Sequence, residues 1–244
     1  MNQYPSMQQS ASKVEVVNAF MRGVYGWMSA GLALTAVLAY LTISMPAMQQ
    51  LVFSIDPASG AIAGVSSLIW LFFVVEIGIV FYLSARISTM NPTTATTLFM
   101  VYSALNGLTL APILYSYTAE SVASTFLITA GMFGAMSIYG MVTKKDLTSW
   151  GSLLFMGLIG IMLAMVVNMF LQSSAMSFAI SVIGVIIFLG LTAYDTQKLK
   201  TMGEMVPEGD TAAVRRGTIM GALTLYLDFI NLFIMLLRLM GNRN

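Results

Sequence analysis

Seven stretches of this chain stay apolar for 20 residues or more: 24–45, 61–84, 95–115, 120–142, 150–171, 174–196 and 217–240. About 20 residues is the length an α-helix needs to cross the hydrocarbon core of a bilayer. Lipid offers no hydrogen bonds, so each run must satisfy its own backbone groups and is predicted to be a helix. The breaks between runs fit that reading. Pro46 and Asp56-Pro57 punctuate the first, Asn91-Pro92 the second and Lys144-Lys145-Asp146 the fourth. The expected fold is an all-α membrane protein, a seven-helix bundle over residues 21–244. A polar tail precedes it over residues 1–20, expected to be mobile and to enter the first span through an amphipathic stretch. It lacks the apolar centre of a cleavable signal peptide.

Composition narrows the chemistry. Only 9% of the residues are charged, where a soluble domain carries about 25%. The net charge of +1 gives nucleic acid nothing to bind. Cysteine and histidine are both absent, which removes thiolate chemistry, the commonest general base and the usual zinc ligand. A retinal Schiff base needs a lysine in the last helix, and every lysine lies outside the spans. A Ser–His intramembrane protease is excluded for want of histidine. An aspartyl one is disfavoured because Tyr194 and Leu227, not glycine, precede the two late intramembrane aspartates. The 21 methionines are scattered and read as adaptable packing rather than a copper path. The chain is expected not to be an enzyme and to hold no cofactor.

Basic residues set the orientation. With the N-terminus cytoplasmic, Lys13, Arg22, Arg86, Lys144, Lys145, Lys198, Lys200, Arg215 and Arg216 all lie inside, nine of the eleven. The C-terminus then falls outside, beside Arg238 and Arg243. Those two arginines are discordant and leave room for a last segment that does not fully cross.

Acids at bilayer depth are expensive and mark function. Three stand out: Glu76 in the second span, Asp195 late in the sixth and Asp228 near the middle of the seventh. Helical steps from Asp228 give Gly217, Gly221, Thr224, Asp228, Asn231 and Met235. The sixth span offers Ser177, Ser181, Gly184, Phe188, Thr192 and Asp195. Two helices thus present small, polar stripes holding an aspartate, and such faces turn towards a bundle interior. The small residues by themselves read as close helix packing. If the two aspartates meet, both do not ionise easily, and the pair titrates as a unit. Such a pair can share a proton, bind a cation or be neutralised by a nearby arginine, for which Arg86 is the obvious candidate. Depth is an obstacle, since Asp228 lies 11 residues into the expected span (228 − 217). Glu76 reads equally as lining a water-filled route or as buried and hydrogen-bonded. Asn106 with Tyr102 and Thr109, and Asn168, read as interhelical hydrogen-bonding groups.

The segments GLTAYDTQKLK and LYLDFINLFIMLLRLMG around the two aspartates resemble the hallmark of the Bax inhibitor-1 family. MRGVYGWMSAGLALTAVLAY, EIGIVFYLSARI, YSALNGLTLAPI and TAGMFGAMSIYG extend the likeness across residues 18–242, and the brief loops suggest a bacterial member of the inner membrane. The resemblance implies a seven-helix fold with a central last helix. It also implies a pH-sensitive latch at the positions of Asp195 and Asp228 on a calcium leak pathway. Arg86 is implied as the arginine that pairs with the latch, and Glu76 as an acid in the route. Calcium takes oxygen ligands, so Asp195, Asp228 and Asn231 are the candidate transient contacts. Two alternatives stand beside the leak: a regulatory protein acting on a membrane-anchored protease through its polar tail, and a proton-coupled small-solute transporter. The absence of an internal repeat speaks modestly against the last.

Overall fold

The structure is a computed structural model that describes residues 4–56, 58–205 and 210–244. It contains α1 (Tyr4–Ser44), α2 (Pro46–Val52), β1 (Phe53–Ile55), β2 (Ile62–Val65), α3 (Leu68–Arg86), α4 (Pro92–Tyr115), α5 (Ala119–Val142), α6 (Thr148–Leu171), α7 (Ser174–Met205) and α8 (Thr211–Met240). Seven of the eight helices among the described residues are long and apolar enough to cross a membrane. Of the expected tail, the first three residues lie outside the described residues. From Tyr4 the chain is already helical and runs unbroken into the first span.

The second span differs most from expectation. Residues 61–67 do not begin it; β2 uses most of them, pairing antiparallel with β1 in the register Phe53↔Val65, Ser54↔Gly64 and Ile55↔Ile62. A short apolar run satisfies helix and strand hydropathy equally. Here the tight turn decides. Asp56 Oδ2 accepts from Ser59 Oγ at 2.6 Å, its Oδ1 accepts from the Ala58 N–H at 3.1 Å, and Gly60 takes the left-handed φ of 69° that its missing Cβ permits. The hairpin buries Val52 and Phe53 against Ile69, with Ile62 and Leu108 beside them, and Phe53 meets Tyr115 edge to face at 5.3 Å.

The helices belong to two packing units. Unit 1 holds the start of α1 up to Met21, α5, α6, α7, and Thr224–Asn242, which is α8 from Thr224 with the two residues after it. α7 is its hub. Gly140 on α5 lies so close to α7 that a Cβ there would strike Ala193 O and reach Thr196 Cβ, and Gly151 of α6 lies directly on the Tyr194 ring. Gly184 of α7 receives Met235 of α8. On α5, Phe126 and Phe133 stack edge-on against Phe229 of α8 at 5.3 and 5.4 Å. Small residues are what let helices approach this closely in lipid. Asn168 joins α6 to α7, donating to Ser177 Oγ at 2.7 Å and accepting from Ser173 N at 3.0 Å.

Unit 2 holds Arg22–Thr118, α8 up to Leu223 and Arg243–Asn244. Within it α1 packs on α4, where Thr35 Oγ1 donates to Ser103 O at 2.8 Å, and Gly23 of α1 abuts Thr218 of α8. Asn91 caps α4 by accepting from Thr93 N at 2.8 Å, with Pro92 at the first helical position.

The C-terminal residues are held beside the start of α5. Asn244 N donates to Ser116 O, its Nδ2 to Tyr115 O, and the Arg243 guanidinium lies 5.7 Å from the Tyr117 ring centre. In unit 1, Asn242 N donates to Ser121 Oγ at 2.9 Å. α8 therefore ends on the side where α4 gives way to α5. Arg238 and Arg243 stand at and just beyond the end of a helix long and apolar enough to cross a membrane. α8 is also the most buried of the seven, with 72% of its apolar window inside the protein against 6% for α6, whose Leu153, Phe155, Met162 and Phe170 are exposed.

Candidate functional site

The two polar stripes meet within unit 1. Met235 packs over Gly184 towards one end, and at the level of Asp195 and Asp228 the two carboxyl groups lie within hydrogen-bonding reach of each other. Depth is no obstacle, because both helices are longer than their apolar runs. α7 continues ten residues beyond Asp195 to Met205 (205 − 195), roughly 15 Å at the helical rise. α8 begins at Thr211, six residues before the expected start at 217.

Asp195 is half-buried, whereas Asp228 is 5% exposed, and its Oδ2 is buried and receives no hydrogen bond. Two facing carboxylates offer acceptors only. One proton between them converts a repulsive contact into a hydrogen bond, so the geometry suits a shared proton or a cation.

A cation that sequence reading treated only as a boundary marker belongs to this site. Lys198 lies one helical turn beyond Asp195, close enough to act on its charge, with its ammonium 5.8 Å from the centre of the Tyr194 ring. The spacing of three residues on one helix was the signal available. Asn231 sits one turn beyond Asp228, but its Nδ2 donates to Leu227 O at 2.8 Å on its own helix. Arg86, expected beside the pair, ends α3 in unit 2 with its side chain exposed. Among the described residues no group of three acids suits a metal ion, so a cation at this pair would draw further ligands from carbonyls and water.

Glu76 anchors a separate cluster in unit 2. It is 5% exposed on α3, accepting from Thr109 Oγ1 at 2.8 Å and Asn106 Nδ2 at 3.4 Å, both from α4. Asn106 and Thr109 thus act between helices, with the acid as their common acceptor.

At the end of α5 the loop into α6 is tied to α7 beyond the aspartate. Gln197 accepts from Leu147 N and donates to Lys145 O, both at 2.8 Å, and Lys200 Nζ donates to Met141 O at 2.8 Å. In this loop, outside the spans, hydrogen bonds from Thr148 hold the Asp146 carboxyl below the usual aspartate range.

A predominantly helical chain with seven helices long and apolar enough to span a bilayer, and an acid on each of the last two, defines an integral membrane protein of a recognisable class. A family model described as "Inhibitor of apoptosis-promoting Bax1" matches residues 17–244, and the chain belongs to the Bax inhibitor-1 family. It is 49% identical over 243 residues to "Inner membrane protein YbhL" of Escherichia coli K12, with both chains fully covered. It is 42% identical to an uncharacterized protein of Borreliella burgdorferi, covering 97% of each chain. An uncharacterized protein of Caulobacter vibrioides is 44% identical, with 91% of this chain and 88% of that one covered.

Proposed function

We propose that this protein is a non-enzymatic, pH-sensitive calcium leak of a bacterial inner membrane, gated by the protonation state of Asp195 and Asp228. The observation that supports it is the approach of two carboxyl groups from α7 and α8, with Asp228 Oδ2 buried and unpaired. With one proton the pair is internally hydrogen-bonded. With none, two charges oppose each other in a largely desolvated site, and either the helices move apart or a cation enters. Protonation therefore acts directly on the α7–α8 contact.

Calcium as the permeating ion follows from family resemblance and from ligand chemistry, since carboxylates and carbonyls are the oxygen donors it takes. Glu76 offers a further carboxylate in unit 2, held in place from α4. The inner-membrane location rests on the name of the Escherichia coli relative, and the distribution of basic residues supports a cytoplasmic N-terminus. Purified protein in proteoliposomes, assayed for calcium against potassium efflux across pH, tests the reading. Calcium flux that varies with pH and exceeds potassium flux supports it; equal, pH-independent fluxes overturn it.

A further inference from the structure

Several buried hydroxyls on these helices return their hydrogen bond to the carbonyl one turn back. Thr35, Thr42, Thr96, Ser103, Thr129 and Thr192 all do so, at 2.7–3.0 Å. Ser137 on α5 and Thr196 on α7 do not. Ser137 is 6% and Thr196 0% exposed, and the Oγ of one and Oγ1 of the other are buried without a hydrogen-bond partner. A carbonyl four residues back is within reach by rotation about χ1 alone. A buried hydroxyl that forgoes it is turned towards a partner of another kind, ordered water being the usual one.

Both lie in unit 1, as does the aspartate pair. Thr196 follows Asp195 on α7. Gly140, three residues after Ser137 and on the same face of α5, presses on Ala193 and Thr196. Four residues before Ser137, Phe133 packs against Phe229, which follows Asp228 on α8. Ser137 thus stands on α5 between its contact with the Thr196 turn of α7 and its contact with the Asp228 turn of α8. The remaining orphan of this unit is Asp228 Oδ2. Three helices that pack on one another in this unit, α5, α7 and α8, thus each carry one unpaired buried oxygen, and a buried water needs two to four such partners.

We propose that Ser137 Oγ, Thr196 Oγ1 and Asp228 Oδ2 hold a buried water that carries protons to and from the Asp195–Asp228 pair. The water takes a proton on its cytoplasmic side and gives one to a carboxylate oxygen; one O–H bond forms as another breaks, with no change of oxidation state. The charged groups facing the pair are its own two carboxyls and Lys198 on α7. α6 carries no titratable side chain, and α5 carries Glu120 in its first turn and Tyr139. On α8 the arginines stand towards the ends, at 215, 216 and 238. This relay rests on the proton-sharing reading of the pair but not on its gating calcium.

Two readouts keep the relay and the gate distinguishable. The first is the infrared carbonyl band of the protonated carboxyl, assigned by its loss in Asp195→Asn. The second is the response time of calcium flux after a pH jump. In Ser137→Ala/Thr196→Val the band moves to the frequency of a less hydrogen-bonded acid and the response slows about tenfold. Thr196→Ser, which keeps the hydroxyl, restores both. A double variant with the native band and native response time overturns the relay. A parent protein without pH-dependent flux overturns the gate alone, and the band then still decides whether the water is held.

Discussion

The carboxyl groups of Asp195 on α7 and Asp228 on α8 lie within hydrogen-bonding reach of each other, although they are 33 residues apart in the chain (228 − 195). Two packing details enforce the meeting. Met235 seats on Gly184 about two turns away along α8, and Phe229 is wedged against Phe126 and Phe133 of α5. The register of α8 against its neighbours is therefore set by shape, and the acids are brought together as a consequence.

That dependence on shape predicts unequal costs for two glycines. At Gly140 a Cβ meets the Ala193 carbonyl, which is backbone and cannot yield, whereas at Gly184 it meets the flexible Met235 thioether. Gly140→Ala is expected to destabilise the protein by about 1–3 kcal/mol, the range for overpacking a tight contact. Gly184→Ala should cost distinctly less. Thermal unfolding of both variants in one detergent checks the order.

In unit 2, Glu76 accepts hydrogen bonds from two buried polar groups of α4. Glu76→Ala leaves Asn106 Nδ2 and Thr109 Oγ1 without this acceptor and is expected to cost about 1–3 kcal/mol. Glu76→Gln retains an acceptor oxygen and should recover most of that loss. Comparable melting temperatures for the two variants would show that the acid does not tie α3 to α4.

The hairpin turn has its own pH dependence. Chiefly the Ser59 hydroxyl, and then the Ala58 N–H, hold the Asp56 carboxyl below the usual aspartate range. A depressed folded value means that the carboxylate's contribution is fully present above the ordinary aspartate pKa and is lost as pH falls through the folded value. Amide exchange over residues 58–65, corrected for intrinsic rates, should therefore accelerate at acid pH in the native chain. In Asp56→Ala it should be fast at all pH values.

Absence of cysteine makes topology directly testable. Asn242 and Ser116 lie at the same end of the helices by the contacts of the C-terminal residues, and the Lys145 loop follows α5 at the other end. In spheroplasts, a membrane-impermeant thiol reagent should label Ser116→Cys and Asn242→Cys but not Lys145→Cys. Labelling of Lys145→Cys alone would invert the orientation, and labelling that separates Ser116 from Asn242 would contradict a full crossing of α8.

Much of this was legible in the sequence because lipid is a demanding solvent. Seven runs of apolar residues admit one secondary structure, and the stripes through Asp195 and Asp228 mark the faces that avoid lipid. Less was legible where lipid does not decide. Residues 61–65 are apolar enough for a helix, and it is the Asp56–Ser59–Gly60 turn that makes them a strand. α7 outruns its hydropathy because Gln197-Lys198-Leu199-Lys200 are good helix formers that favour water over lipid. Lys198 looked like a boundary marker for the same reason. Ser137 and Thr196 carried no signal, since a lone hydroxyl on an apolar helix reads as ordinary packing until its hydrogen bond is seen to be missing.

The most direct measurement is calcium flux in proteoliposomes, followed across pH for the native chain, Asp195→Asn and Asp228→Asn. Asparagine keeps the shape of each side chain but cannot take part in a shared proton. Both substitutions are expected to abolish the pH response of the flux, each to the same extent, because the pair titrates as a unit. Flux in both variants that varies with pH as it does in the native protein would contradict gating by this pair.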